Sequence, residues 1–110
     1  MTTDELRTKQ ARIREIRRQI DECTAMLDGV LLSKRNRVKR KDGSVHLSPE
    51  YFTFQYCGAD GARKWKRIPK KAASAVKRLV RVGKRYRALE REYTALMTEL
   101  SLRDAGKKNG

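Results

Sequence analysis

Lysine and arginine are the residues whose number and spacing indicate chemistry in this chain, and that chemistry is the binding of a polyanion. The 110 residues include 28 Lys and Arg against 13 Asp and Glu, a net charge of +15. The whole excess falls between residues 29 and 89, which hold 18 basic and three acidic residues, while the two ends together are neutral. A basic middle between neutral ends predicts a surface for nucleic acid rather than a uniformly charged, soluble exterior.

Fifteen of these basic side chains are the candidates for direct contact with nucleic acid. They form three groups: one around a strand-like segment, one around a second, and one at the start of a helical segment. The three groups are Lys34, Arg35, Arg37, Lys39, Arg40 and Lys41; Arg63, Lys64, Lys66, Arg67, Lys70 and Lys71; and Lys77, Arg78 and Arg81. Like charges four residues apart destabilise a helix by about 0.2–0.5 kcal/mol per pair, so helix stability alone gives no reason to place Lys77 and Arg81 together.

Residues suited to catalysis or metal binding are scarce. His46 is the single histidine and has no cysteine at ligand spacing, and the chain has no glycine-rich phosphate loop. Cys23 lies on a helical apolar seam and Cys57 ends a strand-like run, which predicts two reduced thiols in a cytosolic protein. We therefore expect a protein without enzymatic activity, cofactor or metal.

Two helical segments flank the basic middle. In the segment Pro69–Leu102, apolar residues step by three and four in an unbroken heptad seam made of Ala72, Ala75, Leu79, Val82, Tyr86, Leu89, Tyr93, Leu96 and Leu100. A shorter seam of the same kind predicts a first helix from about Asp4 to Asp28, closed by Gly29. Thr2 and Glu5 have the spacing of a capping box at its start.

The two seams predict an antiparallel, coiled-coil-like hairpin, with Leu27 near Ala72 and Leu6 near Tyr93. In that register the end of the longer helix extends past the shorter one and leaves apolar side chains uncovered. We therefore expect a homodimer through this end of the long helix, formed by Tyr93, Leu96, Met97 and Leu100.

The middle segment has the period of β-strands and predicts a small three-stranded antiparallel sheet. The expected strands are Arg35–Lys41, Tyr51–Cys57 and Arg63–Ile68, with a tight turn at Asp42-Gly43. Trp65 is expected to anchor this sheet on the second helix, because a small sheet needs a large residue to bury; the alternative is that it stacks on a base. The second strand has Phe52, Phe54 and Tyr56 on one face and Tyr51, Thr53 and Gln55 on the other, where Tyr51 and Gln55 either contact bases or sugars or are simply exposed. The predicted fold is α+β, a single helix–sheet–helix domain over residues 1–104 followed by a flexible tail at 105–110.

Two resemblances follow from these segments. The run from Leu47-Ser48-Pro49-Glu50-Tyr51 to Ile68-Pro69-Lys70, with the helix that follows, resembles an uncharacterised bacterial family of short helix–sheet–helix proteins. That family usually has a cysteine-rich segment where this chain has 39–44 without cysteine, so any metal role is lost here, and it implies no activity. The order of basic strand, Asp-Gly turn, aromatic strand, Gly turn, basic strand and helix is also similar to the three-stranded DNA-binding domain of phage-type integrases.

We expect a nucleic-acid-binding protein whose ligand is double-stranded DNA, an accessory factor of a mobile element or phage. Lys and Arg would grip phosphates, and Arg35, Arg37, Arg63 and Arg67 are the candidates to reach base edges. The alternatives are an RNA-binding or ribonucleoprotein component and a basic module that docks on an acidic protein. The sequence has no apolar run of transmembrane length and no apolar signal core at its start, so we expect a cytoplasmic, nucleoid-associated protein without a membrane partner.

Overall fold

An N-terminal helix, a three-stranded sheet and a long C-terminal helix follow one another in a computed structural model, which describes the backbone of residues 1–109 and the side chains of residues 1–107. The elements are α1 (Thr3–Glu22), β1 (Val30–Lys34), β2 (Arg37–Lys39), β3 (Val45–Leu47), β4 (Tyr51–Cys57), β5 (Arg63–Ile68), a 3-10 turn (Lys70–Ala72) and α2 (Ala73–Asn109). The predicted α+β class and the order of its elements are confirmed.

The chain divides into two compact units. The helical unit consists of Met1–Ala25 and the chain from Val82 onward, and the sheet unit consists of Met26–Arg81. All fifteen candidate basic residues belong to the sheet unit, which has only four acidic residues. The basic excess of the chain therefore belongs mainly to the sheet unit.

Helix α1 begins where the sequence predicts and ends earlier. The Thr2 hydroxyl accepts a hydrogen bond from the Glu5 backbone N–H at 3.2 Å, so the predicted N-terminal cap is confirmed. The predicted end at Asp28 is wrong, because the helix stops at Glu22 and Cys23 has extended backbone angles. The N–H of Leu27 instead donates to the Leu79 carbonyl at 3.0 Å, which takes this segment out of the helix.

Polar contacts within the helical unit establish that α1 and α2 run antiparallel. Lys9 pairs with Glu99, the Arg12 Nη2 atom donates to Glu92 at 2.8 Å, and Arg17 donates to the Tyr93 hydroxyl. Ile13 and Ile16 are the buried apolar residues of α1, and Ile16 is completely buried. The direction of pairing agrees with the sequence, whereas the interlocking packing of a coiled coil stays a prediction.

The expected register of the two seams is wrong by about one heptad. The sequence places Tyr93 beside Leu6, but the Tyr93 hydroxyl contacts Arg17, and Glu99 rather than Tyr93 lies near the start of α1. In the sheet unit Leu27 likewise meets Leu79, seven residues beyond the expected Ala72. A seam that repeats every seven residues matches equally well after a shift of seven, so apolar spacing alone does not determine the register.

The three-stranded sheet has the order β1-β4-β5, with both pairs antiparallel. The strands predicted at Tyr51–Cys57 and Arg63–Ile68 are confirmed residue for residue. The strand predicted at Arg35–Lys41 is wrong as a member of this sheet, because Val30–Lys34 takes that place. Its central part, Arg37–Lys39, pairs with Val45–Leu47 in a separate two-stranded ribbon.

Both hairpin turns use an Asp-Gly pair in the same geometry. In the ribbon, the Gly43 N–H donates to the Arg40 carbonyl at 3.0 Å, and the Asp42 carboxylate accepts from the Ser44 N–H at 2.9 Å. The β4–β5 turn repeats these bonds: the Gly61 N–H donates to the Gly58 carbonyl at 2.9 Å, and the Asp60 carboxylate accepts from the Ala62 N–H at 3.1 Å. Gly43 and Gly61 have φ of 87° and 80°, the left-handed region that a glycine enters without strain.

One face of the three-stranded sheet is covered and supplies the core of the sheet unit. Phe52 and Phe54 project from this face and are buried, as are Ala73 and Val76 in the first turns of α2. The Lys77 ammonium lies 5.8 Å from the centre of the Phe52 ring, which also puts the start of α2 on this face. The other face carries the exposed side chain of Trp65, and we call it the open face.

The long helix differs from its prediction at both ends. Pro69 precedes the 3-10 turn rather than occupying the first α-helical position, and α2 begins at Ala73. Helix α2 continues to Asn109, past the start of the tail predicted at 105–110, and Gly110 lies outside the described residues; the flexibility of this tail stays a prediction. In the part of the chain that the structure describes, neither helix is long and apolar enough to cross a membrane.

Candidate nucleic-acid interface

The open face is assembled from alternate residues of three strands, because residues directly opposite in an antiparallel pair lie on the same side. Tyr51 pairs with Lys34 of β1, Thr53 with Arg67 of β5, and Gln55 with Trp65 of β5. Val30 pairs with Gln55 and Arg63 with Cys57, which extends the same face to its far end. The predicted separation of Tyr51, Thr53 and Gln55 from the phenylalanines of β4 is confirmed.

A shallow pocket of about 370 Å³ occupies the middle of the open face. Its volume falls in the range of about 300–1,000 Å³ typical of small-molecule sites. Three lining residues come from β4, two from β5 and two from the end of β1 and beyond: Tyr51, Thr53, Gln55, Trp65, Arg67, Lys34 and Asn36. The pocket therefore combines aromatic, cationic and hydrogen-bonding groups.

Trp65 is the most exposed large apolar side chain of the protein among the described residues, at 71 %. The expectation that it anchors the sheet on the second helix is wrong. The expectation fails because of the register of β5 with β4: Trp65 pairs with Gln55 and therefore projects from the open face. Its neighbours Lys64 and Lys66 project from the face of Phe54. The phenylalanines of β4 supply the core in its place.

Polar groups around Trp65 are held by contacts within the pocket. The Arg67 guanidinium lies 4.7 Å from the centre of the Tyr51 ring, a cation–π arrangement that keeps both side chains on the open face. The Tyr51 hydroxyl donates to the Asn36 side-chain oxygen at 3.2 Å. Thr53 is only 8 % exposed, and its hydroxyl is buried without a hydrogen-bond partner in the protein.

The fifteen candidate basic residues are all exposed but do not form one plane. Lys34, Arg63 and Arg67 lie on the open face, and Lys64 and Lys66 lie on the opposite one. The ribbon and its approach carry Arg35, Arg37, Lys39, Arg40 and Lys41, and the turn after β5 and the start of α2 carry Lys70, Lys71, Lys77, Arg78 and Arg81. The structure thus brings the three groups into one unit, and distributes them around the sheet.

Most of this charge has no acidic partner. Arg35 lies 3.7 Å from Glu50, and Lys64 lies 3.9 Å from Asp60. Lys70 also interacts electrostatically with Glu50, and the four carboxylates of the sheet unit are too few to balance its fifteen cations. A hydrogen bond from the Ser33 hydroxyl, at 2.5 Å, is the main reason that the pKa of Glu50 is lowered, and Arg35 adds to it.

The β2–β3 ribbon is exposed along its whole length, from Arg35 to Leu47. Arg37 pairs with Leu47 and Lys39 with Val45, so two cations and two apolar residues share one side of the ribbon. Val45 and Leu47 are 62 % and 50 % exposed, which is unusual for residues inside a paired strand. A ribbon of this composition offers a basic edge with apolar contact area to a ligand.

Other potential sites are weaker. Cys23 and Cys57 are both free thiols, and the described residues contain no group of three or more His, Cys, Asp or Glu that could hold a metal ion. A second pocket, of about 210 Å³, lies in the helical unit beside Cys23 and Tyr86. Its cation, Arg85, donates a hydrogen bond to Gln19, and its aromatic ring, that of Tyr86, is half-buried.

Sequence reasoning missed two residues of the pocket. The sequence pattern does not indicate that Asn36, between two arginines, lies in the pocket, and it places Thr53 on the correct face without indicating its burial. The burial of Thr53 could have been expected from the central position of β4 between two partner strands, because the middle strand of a small sheet is the most enclosed. Comparison with known proteins adds no assignment: no family model, no curated protein and no solved structure matches the chain.

Proposed function

We propose that this protein is a non-enzymatic nucleic-acid-binding protein and that its ligand is double-stranded DNA. The observation that carries the proposal is the charge of the sheet unit: fifteen exposed basic residues stand against four acidic ones, so the carboxylates of the unit leave a net charge of +11. Exposed cations attract phosphates, and their binding releases the counterions that are condensed on the nucleic acid.

The β2–β3 ribbon supports duplex DNA in particular. The major groove admits a two-stranded ribbon, and side chains along the ribbon then face base edges. Arg37 and Lys39 lie on one side of the ribbon, with Arg40 and Lys41 at its tip. In this mode Arg37 reads the groove, and the basic residues near α2, such as Lys70, grip the backbone.

A second candidate, RNA, has support from Trp65. Proteins that recognise RNA stack unpaired bases on exposed aromatic rings of a sheet, and Trp65 is such a ring. Docking on an acidic protein is the third candidate, and it rests on charge alone. A DNA-binding role would place the protein in the cytoplasm with the nucleoid, as an accessory factor of a mobile element or phage.

The test is a binding titration by fluorescence anisotropy with labelled duplex DNA, single-stranded DNA and structured RNA of matched length across a series of salt concentrations. We expect the logarithm of the association constant to fall with the logarithm of salt by about 0.9 per phosphate contact on duplex DNA. Replacing Arg37 and Lys39 by Ala should weaken binding and flatten this dependence by about one unit per lost contact.

The matched control is the double variant Arg7→Ala and Arg14→Ala in the helical unit. Both residues are exposed on α1, so the variant removes the same number of charges away from the sheet unit. We expect a much smaller loss. Equal losses from the two double variants would contradict the proposal, because binding would then be a diffuse attraction to a basic protein.

A further inference from the structure

We propose that the pocket of the open face binds an unpaired base of a DNA strand, stacked on Trp65. The inference rests on the proposed nucleic-acid binding and specifies the kind of DNA: one with a single-stranded segment, which the pocket holds while the ribbon and the surrounding cations grip the phosphates. Four features of the pocket carry it.

The first feature is the exposure of an aromatic ring. Trp65 leaves 71 % of its surface in water, and Val30, on the same face beyond Gln55, is 55 % exposed. Burying an apolar surface is favourable by about 25 cal/mol per Å², so a ring held open on a rigid strand is available to a partner with a flat apolar face. A nucleobase has such a face, and stacking tolerates any base.

The second feature is the charge that surrounds the ring. Arg63 and Arg67 are the residues two positions before and after Trp65 on β5, and all three project from the same face. Lys34 lies at the other edge of the pocket. Phosphates on both sides of a base stacked on Trp65 would therefore meet cations, the pairing of basic groove and aromatic platform that single-strand binding uses.

The third feature is the hydrogen-bonding capacity of the pocket. Gln55 presents an amide next to Trp65, and it has both donors and an acceptor for a base edge. The Thr53 hydroxyl is buried below without a partner, and an unsatisfied buried hydroxyl costs about 1–3 kcal/mol. A ligand that gives this hydroxyl a hydrogen bond removes that cost, so the floor of the pocket favours a polar edge over a purely apolar one.

The fourth feature is charge complementarity, which selects nucleic acid among the possible occupants. A second copy of this chain would bring Arg63, Arg67 and Lys34 against the same three cations, and like charges at a contact oppose association. An anionic strand is attracted by them. A fully paired duplex hides its base faces by stacking, so it cannot fill a pocket built around an aromatic ring, whereas an unpaired base can.

The experiment uses Trp65 itself as the probe, because it is the single tryptophan of the chain. The intact protein is titrated with three oligonucleotides of equal length: single-stranded DNA, the same sequence as a blunt duplex, and the same sequence as RNA. We expect single-stranded DNA to quench the tryptophan emission, because a nucleobase stacked on the indole quenches its excited state. The blunt duplex should bind without comparable quenching.

Two variants of Trp65 separate stacking from charge. Trp65→Ala should weaken binding to single-stranded DNA by about 5- to 150-fold, the range for loss of one stacked base, and leave duplex binding nearly unchanged. Trp65→Phe should retain most of the affinity, measured by anisotropy, because the aromatic face is kept. Thermal unfolding of both variants checks that the sheet is intact, which we expect because Trp65 is exposed.

Two substitutions on the same strand test whether the open face is the binding face. Arg67 and Lys66 are neighbours in sequence and project from opposite faces of the sheet, so each substitution by Ala removes one charge. Arg67→Ala should weaken binding to single-stranded DNA several-fold more than Lys66→Ala. Equal effects would overturn the pocket as the site.

The remaining outcomes are each decisive. Duplex binding without quenching by single-stranded DNA, and with no effect of Trp65→Ala, would overturn the pocket and leave the proposed function standing. Quenching by RNA alone would overturn the assignment to DNA. A concentration-dependent change in emission without nucleic acid would assign the face to a second copy, and failure of all three oligonucleotides to bind at low salt would overturn both proposals.

Discussion

At the scale of single residues, Gly29 is the position where the sheet unit leaves least room. A Cβ atom built on Gly29 would lie 2.2 Å from the Gln55 carbonyl oxygen and 2.6 Å from the Phe54 ring. The first of these atoms is backbone and cannot rotate away. Gly29 is therefore required for close approach of the chain to β4, and the sequence-based assignment as a helix cap gave it the wrong role.

The substitution Gly29→Ala should lower the free energy of unfolding by about 1–3 kcal/mol or more, because the added methyl group overpacks a contact with backbone. Thermal or urea unfolding measures the change. Gly106→Ala is the control: nothing lies within 4 Å of its Cβ position in α2, and Ala is favoured over Gly in a helix by about 0.5–1 kcal/mol. If Gly29→Ala left the free energy of unfolding unchanged, the chain before β1 would have to pack less closely against β4 than these distances indicate.

At the scale of elements, the short seam of α1 is centred on Ile16, which is fully buried in the helical unit. Replacing Ile16 by Ala should cost about 2–5 kcal/mol, the transfer free energy of the side chain plus the cavity that it leaves. Gln10→Ala on the exposed side of the same helix should change stability by less than about 0.5 kcal/mol. An unchanged melting temperature for Ile16→Ala would rule out the pairing of the two helices.

Ion pairs on α1 predict a dependence of stability on pH. Hydrogen bonds from Arg18, and then from Gln19, lower the pKa of Glu15 from its ordinary 4.5 to about 2, and a hydrogen bond from Arg12 lowers the pKa of Glu92. A lowered folded-state pKa means that the contribution is fully present above pH 4.5 and is lost as the pH falls toward 2.

Urea unfolding between pH 7 and pH 2 should therefore show a loss of stability that begins near pH 5 and continues downward. The variant Glu15→Gln cannot ionise, so its pH dependence over this range should be smaller than that of the wild type. Both carboxylates are well exposed, so the effect is modest and should shrink further in high salt. A stability that rises on acidification would contradict this account.

Elements with a strong period were predictable from the sequence, and those defined by long-range pairing were not. β4 and β5 alternate cleanly and are bounded by a glycine turn, so their bounds follow from local pattern. β1 has three consecutive apolar residues, Val30 to Leu32, and only its pairing with β4 makes it a strand of the sheet. The end of α1 also depends on a distant bond, the one from Leu27 to Leu79.

The candidate site was predictable in composition but not in arrangement. The cluster of Lys and Arg in the middle of the chain is visible by counting, and all fifteen are exposed. Which of them share a face depends on the register of β4 with β5, and this register also turned Trp65 outward. Net charge can be counted from the sequence, whereas the set of residues that share one face depends on how the strands pair.

At the scale of the whole molecule, charge is divided unequally between the two units. The sheet unit has fifteen basic and four acidic residues, and the helical unit has thirteen and nine. Basic residues of α1 are engaged in pairs, as with Lys9 and Glu99 or Arg12 and Glu92. The charges of the helical unit therefore largely balance one another, whereas those of the sheet unit are mostly of one sign.

The homodimer remains a prediction, but the structure supports it with a different residue of α2. Tyr93 is engaged with Arg17 of its own chain, so it is no longer the clearest contact residue. Leu102, at 68 % exposure, is the large apolar side chain that the end of α2 leaves open. Sedimentation at high micromolar concentration should show a dimer, and Leu102→Glu should shift it toward monomer without lowering the melting temperature. A wild-type monomer at that concentration would remove the dimer.

The two Asp-Gly turns have a consequence for the chemical ageing of the chain. An Asp-Gly sequence isomerises when the glycine nitrogen attacks the aspartate side chain to close a five-membered imide, which rearranges to isoaspartate. In both turns the glycine N–H is bound to a carbonyl three residues back, and the carboxylate is held by the N–H two residues on. Both reacting groups are thus held by hydrogen bonds that the imide closure must break. Bonds from Ser44 also lower the pKa of Asp42, which disfavours the protonated acid that loses water most readily. Isoaspartate at Asp42 or Asp60 should therefore form in proportion to the fraction of molecules in which each hairpin is open.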